Sequence, residues 1–181
     1  MAIRKVRLAG INFFVAALLG ACGPTTSVRV EDVRVTPVRA ADIQRAVHNA
    51  GAKAVLVNMW ATWCGPCREE FPGLVRVAHK YRDRGLTVML VSADDNADMA
   101  AVKEFLAKQG VDFPAYIKAE KDQPFIDALD KRWTGALPAT FIYDGAGKLC
   151  DFWEGSAPFN VFEQKVVEVL GKQAKQTGGN P

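Results

Sequence analysis

Residues 54–72 read AVLVNMWATWCGPCREEFP, and the fold and chemistry of the chain turn on this stretch. Ala54 to Met59 is apolar except for Asn58, the composition of a strand buried on both faces. A short aromatic turn then delivers Cys64 and Cys67 to the start of a helix. Two cysteines at this spacing close a small disulfide ring or supply half of a metal site, so spacing alone leaves the chemistry open. The helix start favours one answer. Unpaired N–H groups and the macrodipole stabilise an anion at a helix N-terminus, and a thiolate is such an anion. A thiol pKa near ~8.5 falls there to about 3.5–7.5, which makes a good nucleophile at neutral pH. Gly65-Pro66 suits the same geometry, because proline in the first helical turn gives up an N–H that has no intrahelical partner. The pair reads as a redox dithiol. A static bridge and a zinc site are the competing possibilities, the latter drawing on Cys150, His48 and His79, which show no recognisable ligand spacing.

From this stretch to the C-terminus the pattern alternates between helix and strand. The helix starting at Cys64 is expected to kink at Pro72 and to end at Gly85. Leu86 to Val91 reads as a second buried strand. Ser92 to Asn96 reads as the cap of a helix with Met99, Val102, Phe105 and Leu106 on one face. Two strands joined through a helix form a right-handed crossover and lie parallel. Phe113 to Lys118 reads as a short strand and Asp122 to Leu129 as a short helix with proline in its first turn. Thr140–Tyr143 and Lys148–Trp153 flank Asp-Gly-Ala-Gly, a hairpin signal. A last helix opens near Ser156 with Phe159, Phe162, Val166, Val169 and Leu170 on one side, and the residues after Gly171, 174–181 in particular, read as a disordered tail. Cys150 is expected to be a small buried hydrophobe, His79 an exposed helix residue, and Trp60 and Trp133 packing residues.

Toward the N-terminus, Ile43, Val47 and Ala50 share a helical face ahead of Gly51, so a helix precedes the first buried strand. Residues 22–36 read as a tether, within which VRVEDVRV is able to add a short edge strand. Residues 1–21 carry Arg4, Lys5 and Arg7, then twelve mostly apolar residues from Leu8 to Leu19, then small ones. That run is too short for a hydrocarbon core about 30 Å thick and reads as a signal peptide. Leu19-Gly20-Ala21-Cys22 resembles the lipobox of bacterial lipoproteins, which implies lipidation of Cys22 and anchoring to a membrane by acyl chains. Of 23 basic residues, three precede Cys22 without an acid among them, which leaves 20 against 20 acids and no electrostatic case for nucleic acid.

Strand, WCGPC, helix, crossover strand, Leu-Pro-Ala-Thr, hairpin and final helix together resemble the thioredoxin superfamily over residues 37–173. The resemblance implies an α/β fold with a central mixed sheet flanked by helices, and a cis peptide bond at Pro138 lying against the dithiol. Two departures from cytosolic thioredoxins point to the TlpA/ResA-like periplasmic branch. Asn58 stands where those proteins carry a buried aspartate, and Glu70 stands where this branch carries a carboxylate near the dithiol. The helix and strand between Asp95 and Lys118 match that branch's insertion, and the lipobox agrees with it.

The implied chemistry is thiol-disulfide exchange: Cys64 attacks, Cys67 resolves, and Glu70, sharing a helix face with Cys67, accepts its proton. Trp63, Gly65, Pro66, Leu137 and Pro138 form the docking platform. The expected setting is the periplasmic side of a bacterial membrane, where a lipid-anchored monomer reduces protein disulfides such as those of apocytochrome c and is recharged by a membrane electron donor. It needs no metal and no cofactor beyond the Cys64–Cys67 disulfide. An oxidant or isomerase, and a copper-binding lipoprotein using the two thiols as soft ligands, are the alternatives.

Overall fold

The structure is a computed structural model that describes residues 28–177, with side chains through residue 173. The signal peptide expected over 1–21 and Cys22 lie outside the described residues. Among the described residues, six strands form one sheet in the order β1-β4-β3-β2-β5-β6. They are β1 (Val35–Val38), β2 (Ala54–Trp60), β3 (Leu86–Ser92), β4 (Ala115–Lys118), β5 (Ala139–Asp144) and β6 (Leu149–Glu154). The first four strands of that order pair in parallel, whereas β5 runs antiparallel to both β2 and β6, so the sheet is mixed. Helices cover it: α1 (Ala40–His48), α2 (Gly65–Tyr81), α3 (Met99–Lys108), α4 (Asp122–Leu129) and α5 (Phe159–Thr177).

All seven residues of β2 are buried, because the strand is central and has helices on both faces. The period of two splits its side chains between two cores. Val55, Val57 and Met59 join Ile43, Val47, Phe125 and Phe141 beneath α1 and α4. Leu56 and Trp60 join Phe71, Leu74, Leu106 and Phe162 beneath α2, α3 and α5. Asn58 belongs by the same alternation to the α2 side. Trp60, Phe71 and Phe105 pack there at centroid distances of 4.8 to 5.0 Å. Trp133 packs on the other side against Phe125 and Phe141, its Nε1–H donating to Ala136 O at 2.9 Å.

Several expectations need correction. The chain is part of the fold from Val28, not from residue 37: Val33 is buried, and β1 begins at Val35, opposite Ala115. Val28, Val33 and Val35 of the supposed tether pack on the core beneath α2 and α3. Pro72 lies inside α2, which continues through it from Gly65 to Tyr81. That helix passes into a short 3-10 turn at Arg82–Arg84 and ends at Gly85, whose φ of 96° is left-handed and where a Cβ would come within 2.9 Å of Lys53. Helix α5 runs through Gly171 to Thr177, so residues 174–177 are helical rather than tail. A glycine in a helix costs about 1 kcal/mol relative to alanine, too little to end one that is already packed. Cys150 is exposed, not buried. It sits on β6, an edge strand with a neighbour on one side only, and β6 holds no fully buried residue. His79 is half-exposed as expected, with Nε2 at 3.1 Å from Asp112 Oδ1.

Candidate active site

The aromatic turn after β2 is held by the neighbouring strand. Ala93 N–H donates to Trp60 O at 2.7 Å, just past the end of β3. Asp94, 2% exposed, accepts from Thr62 N–H at 2.9 Å and from the Thr62 and Ser92 hydroxyls. The Ser92–Asn96 segment therefore does not cap α3 as expected; the residue before α3, Asp98, makes no side-chain cap bond. Its polar groups clamp the reactive turn instead.

That clamp presents Cys64 as the N-cap of α2, where its Sγ accepts from Cys67 N–H at 3.3 Å. The two cysteines form a disulfide with an S–S length of 2.06 Å. Cys64 keeps 6% of its surface exposed and Cys67 none, so the outer sulfur is the one a partner reaches first. Gly65 and Pro66 are exposed, and Trp63 stands out at 69%. The Leu137–Pro138 peptide bond is cis, as the resemblance implied. Ala139 pairs with Met59, which puts Pro138 at the end of the sheet from which the dithiol turn departs. Pro138 O accepts from Gly155 N–H at 2.8 Å. Trp63 and Leu137 line one groove of about 270 Å³ together with Phe125, Ile126 and Trp133 and the charged Lys118 and Asp122. The expected site residues, Cys22 aside, thus lie at this one end of the sheet.

Glu70 lies one turn along α2 from Cys67 and is 5% exposed. One carboxylate oxygen, Oε1, accepts from Asn58 Nδ2 at 2.9 Å, and the other, Oε2, accepts from Ala157 N–H at 2.9 Å. Burial raises its pKa from an ordinary 4.5 to about 7, against the opposing pull of the Ala157 and Asn58 donors. A carboxyl so placed gives up and takes on a proton near neutrality, which suits a general acid or base. It borders a second cavity of about 400 Å³, lined also by Gly73, Ala157 and Phe159. Among the described residues no group of three or more His, Cys, Asp and Glu side chains is placed to hold a metal ion.

Sequence reasoning missed two contributors and the contacts of a third. Asn58 was legible only as an amide standing in place of an aspartate, yet it is the side chain that meets Glu70. Thr140 sits directly opposite Asn58 on β5 and accepts its other amide hydrogen at 3.0 Å. Asp94 is the anchor of the turn. The one available signal was that Asn58 is the sole polar residue in a fully buried run.

A family model described as AhpC/TSA matches residues 24–151. The thiol-disulfide oxidoreductase ResA of Bacillus anthracis is 34% identical over 124 residues, covering 68% of this chain and 58% of that protein. The chain thus matches less than two thirds of the length of these ResA relatives. The thiol:disulfide interchange protein HelX of Rhodobacter capsulatus is 32% identical over 164 residues, covering 90% of this chain and 83% of HelX. Among solved structures, a thiol:disulfide interchange protein of the thioredoxin family from Chlorobium tepidum superposes with a TM-score of 0.58 at 27% identity, covering 70% of this chain and 84% of that one.

Proposed function

The chain belongs to the AhpC/TSA family of thioredoxin-like proteins, and on that footing we propose that it is an extracytoplasmic thiol-disulfide oxidoreductase that reduces disulfides in envelope proteins. The observation that carries this reading is a disulfide capping α2 with a buried near-neutral carboxyl one turn behind its inner sulfur. Relatives named thiol-disulfide oxidoreductase and thiol:disulfide interchange protein support it.

In the reduced protein, the Cys64 thiolate attacks one sulfur of the substrate disulfide. A Cys64–substrate bond forms, the substrate S–S bond breaks, and the first substrate sulfur leaves as a thiolate. Cys67 passes its proton to the Glu70 carboxylate and, as a thiolate, attacks Cys64 Sγ. The Cys64–Cys67 disulfide seen here forms, and the second substrate sulfur leaves and regains a proton. The substrate gains two electrons and the protein loses two, which a dithiol donor at the membrane restores. Trp63 and the backbone at Leu137 and Pro138 seat the partner chain, with Gly65 and Pro66 leaving the outer sulfur unobstructed. The lipobox resemblance at Cys22 supports a lipid tether on the periplasmic side of a membrane, and apocytochrome c is the proposed substrate.

Replacing Cys67 by alanine removes the resolving step and leaves Cys64 to trap its partners. Envelope proteins, apocytochrome c among them, are expected as dithiothreitol-sensitive adducts on non-reducing gels. An absence of adducts while Cys64 remains reduced and alkylatable refutes the exchange mechanism.

A further inference from the structure

Asn58 has no exposed surface, and neither has Thr140 opposite it. The amide donates both of its hydrogens to named acceptors, Glu70 Oε1 at 2.9 Å and Thr140 Oγ1 at 3.0 Å, while its own oxygen has no partner among the described residues. A buried acceptor left unmatched in a native fold asks for a reason. Turning the amide over does not remove the problem. It would set Oδ1 against a carboxylate oxygen and leave the two N–H groups where Oδ1 now finds no partner. The observed orientation is the one in which an ionised Glu70 is met by a donor, and Thr140 fixes the amide plane in it.

We propose that Asn58 is the positioning residue for Glu70: pinned by Thr140, it holds the carboxylate ionised and in place to accept the proton of Cys67. The proposal rests on the exchange reaction above, and it assigns the amide a part in that reaction. Burial alone favours the protonated carboxyl, which is poor at accepting a proton. Two groups oppose burial, Asn58 Nδ2 from β2 and Ala157 N–H from the segment before α5. Both are donors, so a protonated Glu70 would face them with an O–H that neither accepts. Among the described residues no charged group shifts the carboxyl: Glu69 on its own helix lines the same cavity without doing so, and Thr140 on β5 is neutral. Of the two donors, the side chain is the one that substitution can remove.

The test follows the two steps of the reduced protein with 5,5′-dithiobis(2-nitrobenzoate), in a full chain carrying Cys22→Ser and Cys150→Ser so that only the dithiol reacts. The first release of nitrothiobenzoate reports attack by Cys64, and the second reports resolution by Cys67. In the parent the second rate is expected to rise with pH through the ionisation of Glu70. Losing a hydrogen bond to a charged group moves that midpoint up by about one to two pH units in Asn58→Ala. Asn58→Asp, of the same shape but without the donor and with a second carboxyl, is expected to move it further in the same direction. Thr140→Val, which frees the amide plane, moves it up by less and carries the test if the position 58 variants fail to fold. In a Glu70→Gln background Asn58→Ala should change the second rate by less than about twofold, because the residue through which it acts is gone. A midpoint unmoved within about 0.3 pH unit in the folded variants, or equal slowing with and without Glu70, overturns the assignment. Failure of the parent to release the second nitrothiobenzoate overturns the exchange reading itself, and the assignment with it.

Discussion

Replacing Glu70 by glutamine is expected to change how folding stability depends on pH, in a direction set by the buried carboxyl. The Glu70 pKa is raised from 4.5 to about 7, chiefly by burial. Between these values the folded protein binds more protons than the unfolded chain, so stability falls as pH rises. The contribution of Glu70 is therefore most favourable at and below about pH 4.5 and has been lost once pH passes about 7. At about 1.4 kcal/mol per pH unit the whole effect is about 3 kcal/mol. A glutamine side chain in the same place does not titrate. Its oxygen accepts from one of the two N–H donors and its NH₂ group faces the other, at a cost of about 1–3 kcal/mol at every pH. The variant should be less stable than the parent near pH 5, and the gap should close by about 3 kcal/mol toward pH 9. Urea unfolding of the oxidised protein across this range measures the gap, because an intact disulfide keeps Cys64 and Cys67 from titrating. A gap that stays constant within about 0.5 kcal/mol contradicts a buried, near-neutral Glu70.

Asp94→Ala strands the Thr62 amide and two hydroxyls that now share one buried carboxylate; a loss of about 2–4 kcal/mol in urea unfolding is expected, and a loss below about 1 kcal/mol argues against the clamp. Cys150 should be alkylated in the native oxidised protein, faster as pH rises through the alkaline range, because partial desolvation at the sheet edge and the nearby Asp144 carboxylate raise its thiol pKa. Mass spectrometry locates the label, and protection of Cys150 until the fold is denatured contradicts its place on the sheet edge.

The features legible from sequence were those written locally. A fully buried run marks β2, the helix start marks Cys64 as the reactive end of the pair, and the Asp-Gly-Ala-Gly turn marks the hairpin. What escaped depended on partners far along the chain. Asp94 has the residue type and position of a helix cap, and only the pairing of β2 with β3 brings Thr62 to it instead. Strand alternation puts Asn58 on one face but does not say that Glu70 lies above it or Thr140 beside it. Cys150 was misplaced because a strand's composition does not reveal whether it lies inside the sheet or at its margin. VRVEDVRV read as able to add an edge strand, but the strand starts only at its last residue, Val35, while Val28 and Val33 pack on the core, a destination the local pattern does not show. Gly171 looked like a stop because the packing of Phe162, Val166, Val169 and Leu170, which holds the helix up to that point, depends on other elements.

The polarity of β1 bears on how the molecule is deployed. Being parallel through β4 and β3 to β2, it heads toward the same pole of the sheet as the strand that delivers the dithiol. The chain therefore arrives at the sheet from the far pole. For a chain tethered at Cys22 as proposed, the packed segment from Val28 is where the leash meets the domain, and β1 then enters the sheet at the pole opposite Trp63 and the outer sulfur.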